Sequence, residues 1–198
     1  MTRLLLIRHG ETDWNRDQRV QGNTDIPLND TGRRQAKDAA ATVAGLLGTD
    51  PAVIAASDLS RARETAEIIA ADLGLAEPWT TPLLRERSYG EAEGLDLDEF
   101  RRRYGRYGHA EPEGAETRDE LRARALQGIR EAVAETRRRT GPGSNPLIAV
   151  AHGGLIREII SHASGGTFPA QGDRIPNASV HELLVERDRL RLVSHAAA

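Results

Sequence analysis

Four aliphatic residues in a row, Leu4-Leu5-Leu6-Ile7, run without a spacer into Arg8-His9-Gly10-Glu11-Thr12. A short apolar run of this kind reads as a buried strand. In an open α/β sheet, ligands gather beyond the carboxyl ends of the strands, so Arg8 and His9 would stand at the lip of a site. Gly10 lets the backbone turn tightly and approach a ligand. By itself this is only a strand end with two basic residues. The pattern recurs, however: Leu147-Ile148-Ala149-Val150-Ala151 is another buried-strand run, and it closes on His152-Gly153-Gly154 before a helical stretch, Leu155 to Ala163. One histidine at a strand end is usually structural, whereas two in matched strand–His–Gly–helix settings point to a site.

The rest of the chain fits around these tips. Thr12 to Asp30 reads as polar and irregular, punctuated by Gly22 and Pro27. Asn15, Gln21 and Gly22 lie close enough to the first strand to fold back over its end. Asn29 or Asp30 caps a helix whose apolar face runs through Ala36, Ala40, Val43 and Leu47. Ala52 to Ala56 reads as a further buried strand. It leads through Ser57-Asp58-Leu59-Ser60 to Arg61 at the start of an amphipathic helix, where the helix N-terminus already favours anions. Trp79 to Leu84 looks extended but is broken by Pro82, and an acidic loop from Leu84 to Gly94 carries Glu86, Glu91 and Glu93. A short helix is expected over Leu97 to Tyr104 and a long one from about Glu116 to Arg139. Gly105 to Gly114 is the least ordered stretch by composition, and Gly141-Pro142-Gly143-Ser144 is a break. Ser179 to Val185 and Leu190 to Ser194 read as a hairpin or edge pair.

With 198 residues and no repeat or linker, the chain is expected to form a single domain over 1–198. The absence of cysteine excludes disulfides, thiolate catalysis and Cys-ligated metals. The N-terminal apolar run is far too short to span a membrane and has no signal-peptide flanks, so a cytoplasmic protein without membrane partners is expected. A net charge of −3 argues against a nucleic-acid binder. The terminal strand pair offers an edge through which a homodimer could form.

Arg8, His9, Arg61 and His152 together would make a site for a small dianion, and Glu86 would complete an acid–base pair. A neutral imidazole nitrogen is a competent nucleophile toward phosphorus, and the arginines would stabilise charge on the phosphoryl oxygens. Nothing in this chemistry requires a metal or other cofactor, and the histidines lack metal-ligand spacing.

These residues also carry a resemblance. Arg8-His9-Gly10-Glu11-Thr12 with Asn15 is similar to the RHGE[ST]xxN signature of the histidine phosphatase superfamily, in its phosphoglycerate mutase-like branch. The match continues through Gly22, Asp25, Pro27 and Leu28, then Ser57, Leu59, Arg61, Ala62 and Thr65. It ends with Glu86, Tyr89, Gly90, Glu93 and Gly94, and Ala151-His152-Gly153. The resemblance implies a three-layer α/β/α sandwich with a mostly parallel central sheet. It makes His9 the nucleophile that becomes transiently phosphorylated, with Arg8, Arg61 and His152 binding the phosphoryl group. Glu86 would be the general acid and base, with Glu91 and Glu93 as rivals. Thr12, Asn15, Gln21, Gly22, Tyr89 and Gly153 would line the substrate side.

The implied activity is phosphatase: hydrolysis of a small phosphomonoester without metal. The alternatives are a cofactor-dependent phosphoglycerate mutase and, from another class, a non-catalytic phospholigand-binding protein. Cofactor-dependent mutases carry a lysine shortly after the position of Gly94-Leu95 and an arginine pair in a long insertion. Here the positions read Asp96-Leu97-Asp98, and Gly105 to Glu116 is too short for the insertion. Against the non-catalytic alternative, the nucleophile, the acid and the second histidine are all present. The segment from Leu95 to Ala115, with Phe100, Arg101 to Arg103, Tyr104, Arg106, Tyr107 and His109, is expected to set substrate choice.

Overall fold

A computed structural model describes residues 1–105, 110–141 and 145–196. Arg106, Tyr107 and His109 of the expected specificity segment, and residues 142–144 of the expected break, lie outside the described residues. The strands are β1 (Thr2–Arg8), β2 (Val53–Ser57), β3 (Trp79–Thr81), β4 (Leu147–Ala151), β5 (Val180–Val185) and β6 (Leu190–Ser194). The helices are α1 (Asp13–Arg16), α2 (Asp30–Leu47), α3 (Ser60–Leu73), α4 (Leu97–Tyr104), α5 (Arg118–Thr140) and α6 (Gly153–Ala163).

Alternation along β1 builds the layers. Leu4 and Leu6 pack with Leu147, Ala149, α5 and α6 on one face of the sheet, while Leu5 and Ile7 pack with Ile148, Val150, α2 and α3 on the other. Strands buried on both faces need no polar alternate positions, which is why these runs read as unbroken aliphatics. The sheet order is β3-β2-β4-β1-β5-β6. The pairs β3–β2, β2–β4 and β4–β1 are parallel, and β5 joins β1 antiparallel with β6 at the open edge. The mostly parallel α/β/α sandwich expected above is therefore the observed fold.

Register and handedness of exit place the site. Arg8 is paired with Ala151, and the His9 amide donates to the Ala151 carbonyl at 2.9 Å, so the ends of β1 and β4 lie side by side. The chain leaves β1 toward the α2 face and leaves β4 toward the α6 face. Neighbouring parallel strands whose connections part to opposite faces leave a crevice at their carboxyl ends.

Several boundaries differ from expectation, each for a local reason. Thr12 to Asp30 is not wholly irregular: Thr12 caps the single turn of α1, its Oγ1 accepting from the Asn15 amide while Asn15 Oδ1 accepts from the Thr12 amide. The long helix begins at Arg118, not Glu116, because Thr117 and Glu120 form a capping box. The last major helix starts at Gly153, two residues before Leu155, with His152 as its N-cap. The third strand stops at Thr81 because Pro82 opens a 3-10 turn, Pro82–Leu84.

Candidate active site

The tips of β1 and β4 bring His9 and His152 within 5.1 Å, centroid to centroid, with the rings tilted by 58°. Both side chains are buried. His9 Nδ1 lies 2.6 Å from the Gly10 carbonyl oxygen. A carbonyl only accepts, so Nδ1 carries the proton and Nε2 keeps its lone pair. Burial, followed by the charges of Arg61 and Arg8, holds the His9 pKa well below its ordinary value; the bond to Gly10 opposes this only partly. His152 is pushed the same way, first by burial and then by Arg61, His9 and Arg8, and neither of its ring nitrogens has a partner among the described residues. Both imidazoles are therefore neutral at physiological pH.

Arg61, on the first turn of α3, is fully buried yet forms no ion pair among the described residues. Its Nη1 and Nη2 donate to the carbonyls of Thr24 (2.9 Å) and Gly22 (2.8 Å), while Nε has no partner among the described residues. Burial lowers its pKa to about 10 against the pull of Glu86 and Asp25. That is still well above neutrality, so the cation persists. Arg8 donates to the Ile175 carbonyl from the loop before β5. A buried cation such as Arg61, whose Nε has no acceptor among the described residues, suits an arriving anion.

The loop that aims Arg61 is itself clamped. Glu93 accepts from the amides of Asn23 (2.9 Å), Thr24 (2.8 Å) and Tyr89 (3.1 Å) and from the Thr24 hydroxyl. Gly22 makes this possible: it sits at φ +54°, and a Cβ there would come within 2.0 Å of Glu93 Oε1. Glu91 instead takes a hydrogen bond from the Tyr104 hydroxyl. Glu86 faces the first turn of α6, its Oε2 accepting from the Gly154 amide (2.8 Å) and its Oε1 from the Leu155 amide (3.0 Å). A Cβ at Gly154 would stand 2.6 Å from Glu86 Oε1, so the glycine leaves room for the carboxylate against α6.

A cavity of about 750 Å³ opens at these tips, with Arg8, Asn15, Tyr89 and Gly153 among its walls. Thr12 and Gln21 are buried against each other, Thr12 Oγ1 donating to Gln21 Oε1 at 3.0 Å, and Gly22 reaches the site through its carbonyl on Arg61. Sequence reasoning passed over Asn177, whose Nδ2 donates to the His9 carbonyl (3.0 Å) and to Asn15 Oδ1 (3.2 Å). It also passed over Arg87 and Arg157 in the cavity wall. Asn177 lies 168 positions from His9 in a loop without periodicity, so no local pattern marks it. Among the described residues no cluster of three or more His, Cys, Asp or Glu could hold a metal ion, and no helix is long and apolar enough to cross a membrane.

Fold and site define a class: a parallel-sheet α/β protein with neutral histidines and buried arginines gathered around an anion-receptive crevice. Residues 4–198 match the model of the histidine phosphatase superfamily (branch 1). The chain is 37% identical over 201 residues to the uncharacterized phosphatase PhoE of Bacillus subtilis, covering 97% of this chain and 93% of that protein. It is 31% identical to a metal-independent phosphoserine phosphatase of Arabidopsis thaliana, covering 91% and 75%. The solved mycobacterial glucosyl-3-phosphoglycerate phosphatase with VO3 superposes with a TM-score of 0.83 at 30% identity, over all of both chains. The chain belongs to the histidine phosphatase superfamily and is a phosphatase within it.

Proposed function

We propose that this phosphatase hydrolyses a small phosphorylated metabolite through a phosphohistidine on His9, without a metal. His9 Nε2 attacks phosphorus in line with the ester oxygen. The P–N bond forms as the P–O bond breaks, and Glu86 gives its proton to the departing alkoxide. Water then attacks the phosphohistidine, Glu86 takes a proton from it, and the P–N bond breaks to release inorganic phosphate and neutral His9. Arg8, Arg61 and His152 hold the phosphoryl oxygens, on which charge gathers in the transition state.

One observation carries this reading: His9 is neutral, its Nδ1 proton engaged by Gly10, with its ring against that of His152 and two arginine charges bearing on it. An imidazole with a bound Nδ1 proton presents a lone pair at Nε2, and cations nearby keep that lone pair unprotonated. Glu86 is supported over Glu93 because all the Glu93 contacts go to the clamp on residues 22–24 and to Tyr89, whereas Glu86 meets α6 beside Gly153. Hydrolysis is supported over mutase action by the arrangement of Arg101, Arg102 and Arg103. These lie on α4, paired with Asp98 or Glu99, rather than in a long insertion, and of the three only Arg101 reaches the cavity wall.

The test is phosphate release from p-nitrophenyl phosphate and 3-phosphoglycerate in chelator, with rapid quench to trap the enzyme. A base-stable, acid-labile phosphoenzyme absent from His9→Ala is expected. Activity lost in chelator and restored by a divalent metal would overturn the metal-free mechanism. Appearance of 2-phosphoglycerate with little free phosphate would make the protein a mutase.

A further inference from the structure

The segment that carries Glu86 leaves β3 at Thr81, makes the 3-10 turn Pro82–Leu84 and runs on to Ser88 without regular secondary structure. Its backbone groups must therefore find partners outside it. Three of its carbonyls turn toward one residue of α5. Arg124 Nη1 donates to the carbonyls of Leu83 (3.0 Å) and Arg85 (2.9 Å), and Nη2 donates to that of Glu86 (3.1 Å). The remaining N–H groups go to Glu116, Nε to Oε1 and Nη2 to Oε2, both at 2.7 Å. A guanidinium has five N–H donors. All five are used here, three on the Glu86 segment and two on the carboxylate that holds the fork in place.

The pair is largely shielded from water, with 22% of the Arg124 side chain and 16% of the Glu116 side chain exposed, so it is no solvated surface bridge. Glu116 also ties down the far end of the segment. Its amide donates to the Ser88 carbonyl (3.0 Å), and its own carbonyl accepts from Arg87 Nε (2.6 Å). Gly128 follows Arg124 by four residues and shares its helix face. A Cβ there would stand 3.1 Å from both Leu83 Cβ and Leu84 Cδ2, so the glycine lets the segment lie close on α5. The Glu86 carboxylate is fixed separately, by the Arg87 amide (2.8 Å) and by the two amides of α6. Glu86 is thus suspended between two helices: α5 sets its backbone and α6 receives its carboxylate. An arginine whose donors all end inside the protein has none left for a substrate, and its work is to hold.

We propose that Arg124, braced by Glu116, is a positioning residue that sets the reach of Glu86 to the leaving oxygen, so that weakening it impairs proton delivery rather than attack by His9. The inference rests on the reading of Glu86 as the general acid. A lysine at 124 keeps the charge but offers three donors on a flexible stem in place of the planar fork.

The experiment compares kcat/KM for phenyl phosphate and p-nitrophenyl phosphate in the wild type, Glu86→Gln, Arg124→Lys and Glu116→Gln. This constant covers the steps up to transfer of the phosphoryl group to His9 and departure of the leaving group. Phenol, with a pKa of about 10, leaves poorly without a proton, whereas the far more acidic p-nitrophenol leaves readily as its anion. Arg124→Lys should lose about tenfold or more on phenyl phosphate but about threefold or less on p-nitrophenyl phosphate. Glu116→Gln should show the same selectivity to a smaller degree, and Glu86→Gln to a greater one. A general loosening of the fold lowers both esters alike. Equal losses in Arg124→Lys and Glu116→Gln, or wild-type values in both, would therefore overturn the positioning role. If Arg124→Lys does not fold, the ratio in Glu116→Gln decides by the same criterion. A selective loss in Glu86→Gln that neither other variant shows removes the positioning role alone. Equal losses on both esters in Glu86→Gln, or hydrolysis of neither by the wild type, would sink the acid assignment and the positioning role together.

Discussion

His152 and His181 are both fully buried, and burial makes both resist protonation, yet they do different work. On β5, the Ser179 hydroxyl donates to the Pro176 carbonyl (2.7 Å), so His181 Nε2 donates to Ser179 Oγ (2.9 Å) while its Nδ1 accepts from the Ala196 amide (3.2 Å). Every hydrogen-bonding position of that ring is used by the protein. At the tip of β4, neither nitrogen of His152 has a partner among the described residues, and the charges facing the ring are arginines. Burial and a depressed pKa are common to both. What separates the candidate site from the structural histidine is unspent hydrogen-bonding capacity under the influence of arginine charges.

The largest effect expected from this contrast concerns His9, which shares the unspent setting. His9→Ala should lower kcat by about 10⁴-fold or more with little change in thermal melting. His181→Asn should do the reverse, keeping most activity while shifting the melt. Measuring kcat and Tm on both variants breaks the comparison if His9→Ala turns over normally.

Acid stability sharpens it next. The His181 pKa is lowered from 6.5 to about 4, first by burial and then by the charge of His195. The unfolded chain therefore takes up that proton first as pH falls, so the stabilisation is complete above pH 6.5 and is lost progressively toward pH 4. Its size is about 3 kcal/mol at most. Urea midpoints across this range should fall for the wild type and fall less for His181→Asn. Added phosphate should protect through His9 and His152 but leave the His181 share untouched. A profile identical in wild type and variant would remove His181 from the account.

Positioning residues should give smaller effects. Glu93→Ala frees the loop whose carbonyls aim Arg61 and should lower kcat by roughly 10²-fold, since a shift of about 1 Å in a positioned group costs that much. Because Glu93 moves no proton in the proposed mechanism, the pH profile should keep its shape, whereas Glu86→Gln should change it. Gly154→Ala comes last: its Cβ would meet Glu86 Oε1 at 2.6 Å and displace the carboxylate from α6. A loss of about tenfold in kcat is expected with near-native stability, because the α6 backbone accepts alanine. Unchanged kcat would show that the Glu86–α6 contact is not needed.

Much of this molecule was legible in residue order. The aliphatic runs of β1, β2 and β4 named themselves as buried strands, and His9-Gly10 and His152-Gly153 marked the two tips that prove to be neighbours. The spacing of Ala36, Ala40, Val43 and Leu47 described the buried face of α2. The capping box at Thr12 and Asn15 was equally local and could have been read from T-x-x-N, but the polar surroundings masked it. Asn177 and the Glu93 clamp on residues 23 and 24 could not have been read this way. Each acts through partners tens to more than a hundred residues away, and isolated polar residues in loops have no period to betray them.

The sequence by itself determined which segments are strands and helices and which residue types end them, because hydrophobic periodicity and capping are set by neighbours within a few positions. Only the tertiary structure decided that β1 and β4 lie adjacent in register with their chains parting to opposite faces. It alone decided that Arg61 is aimed by carbonyls clamped through Glu93, and that His152 has spare hydrogen-bonding capacity where His181 has none. Those facts depend on pairing and packing between distant segments, where the energy of each contact exists only once the rest of the fold has formed.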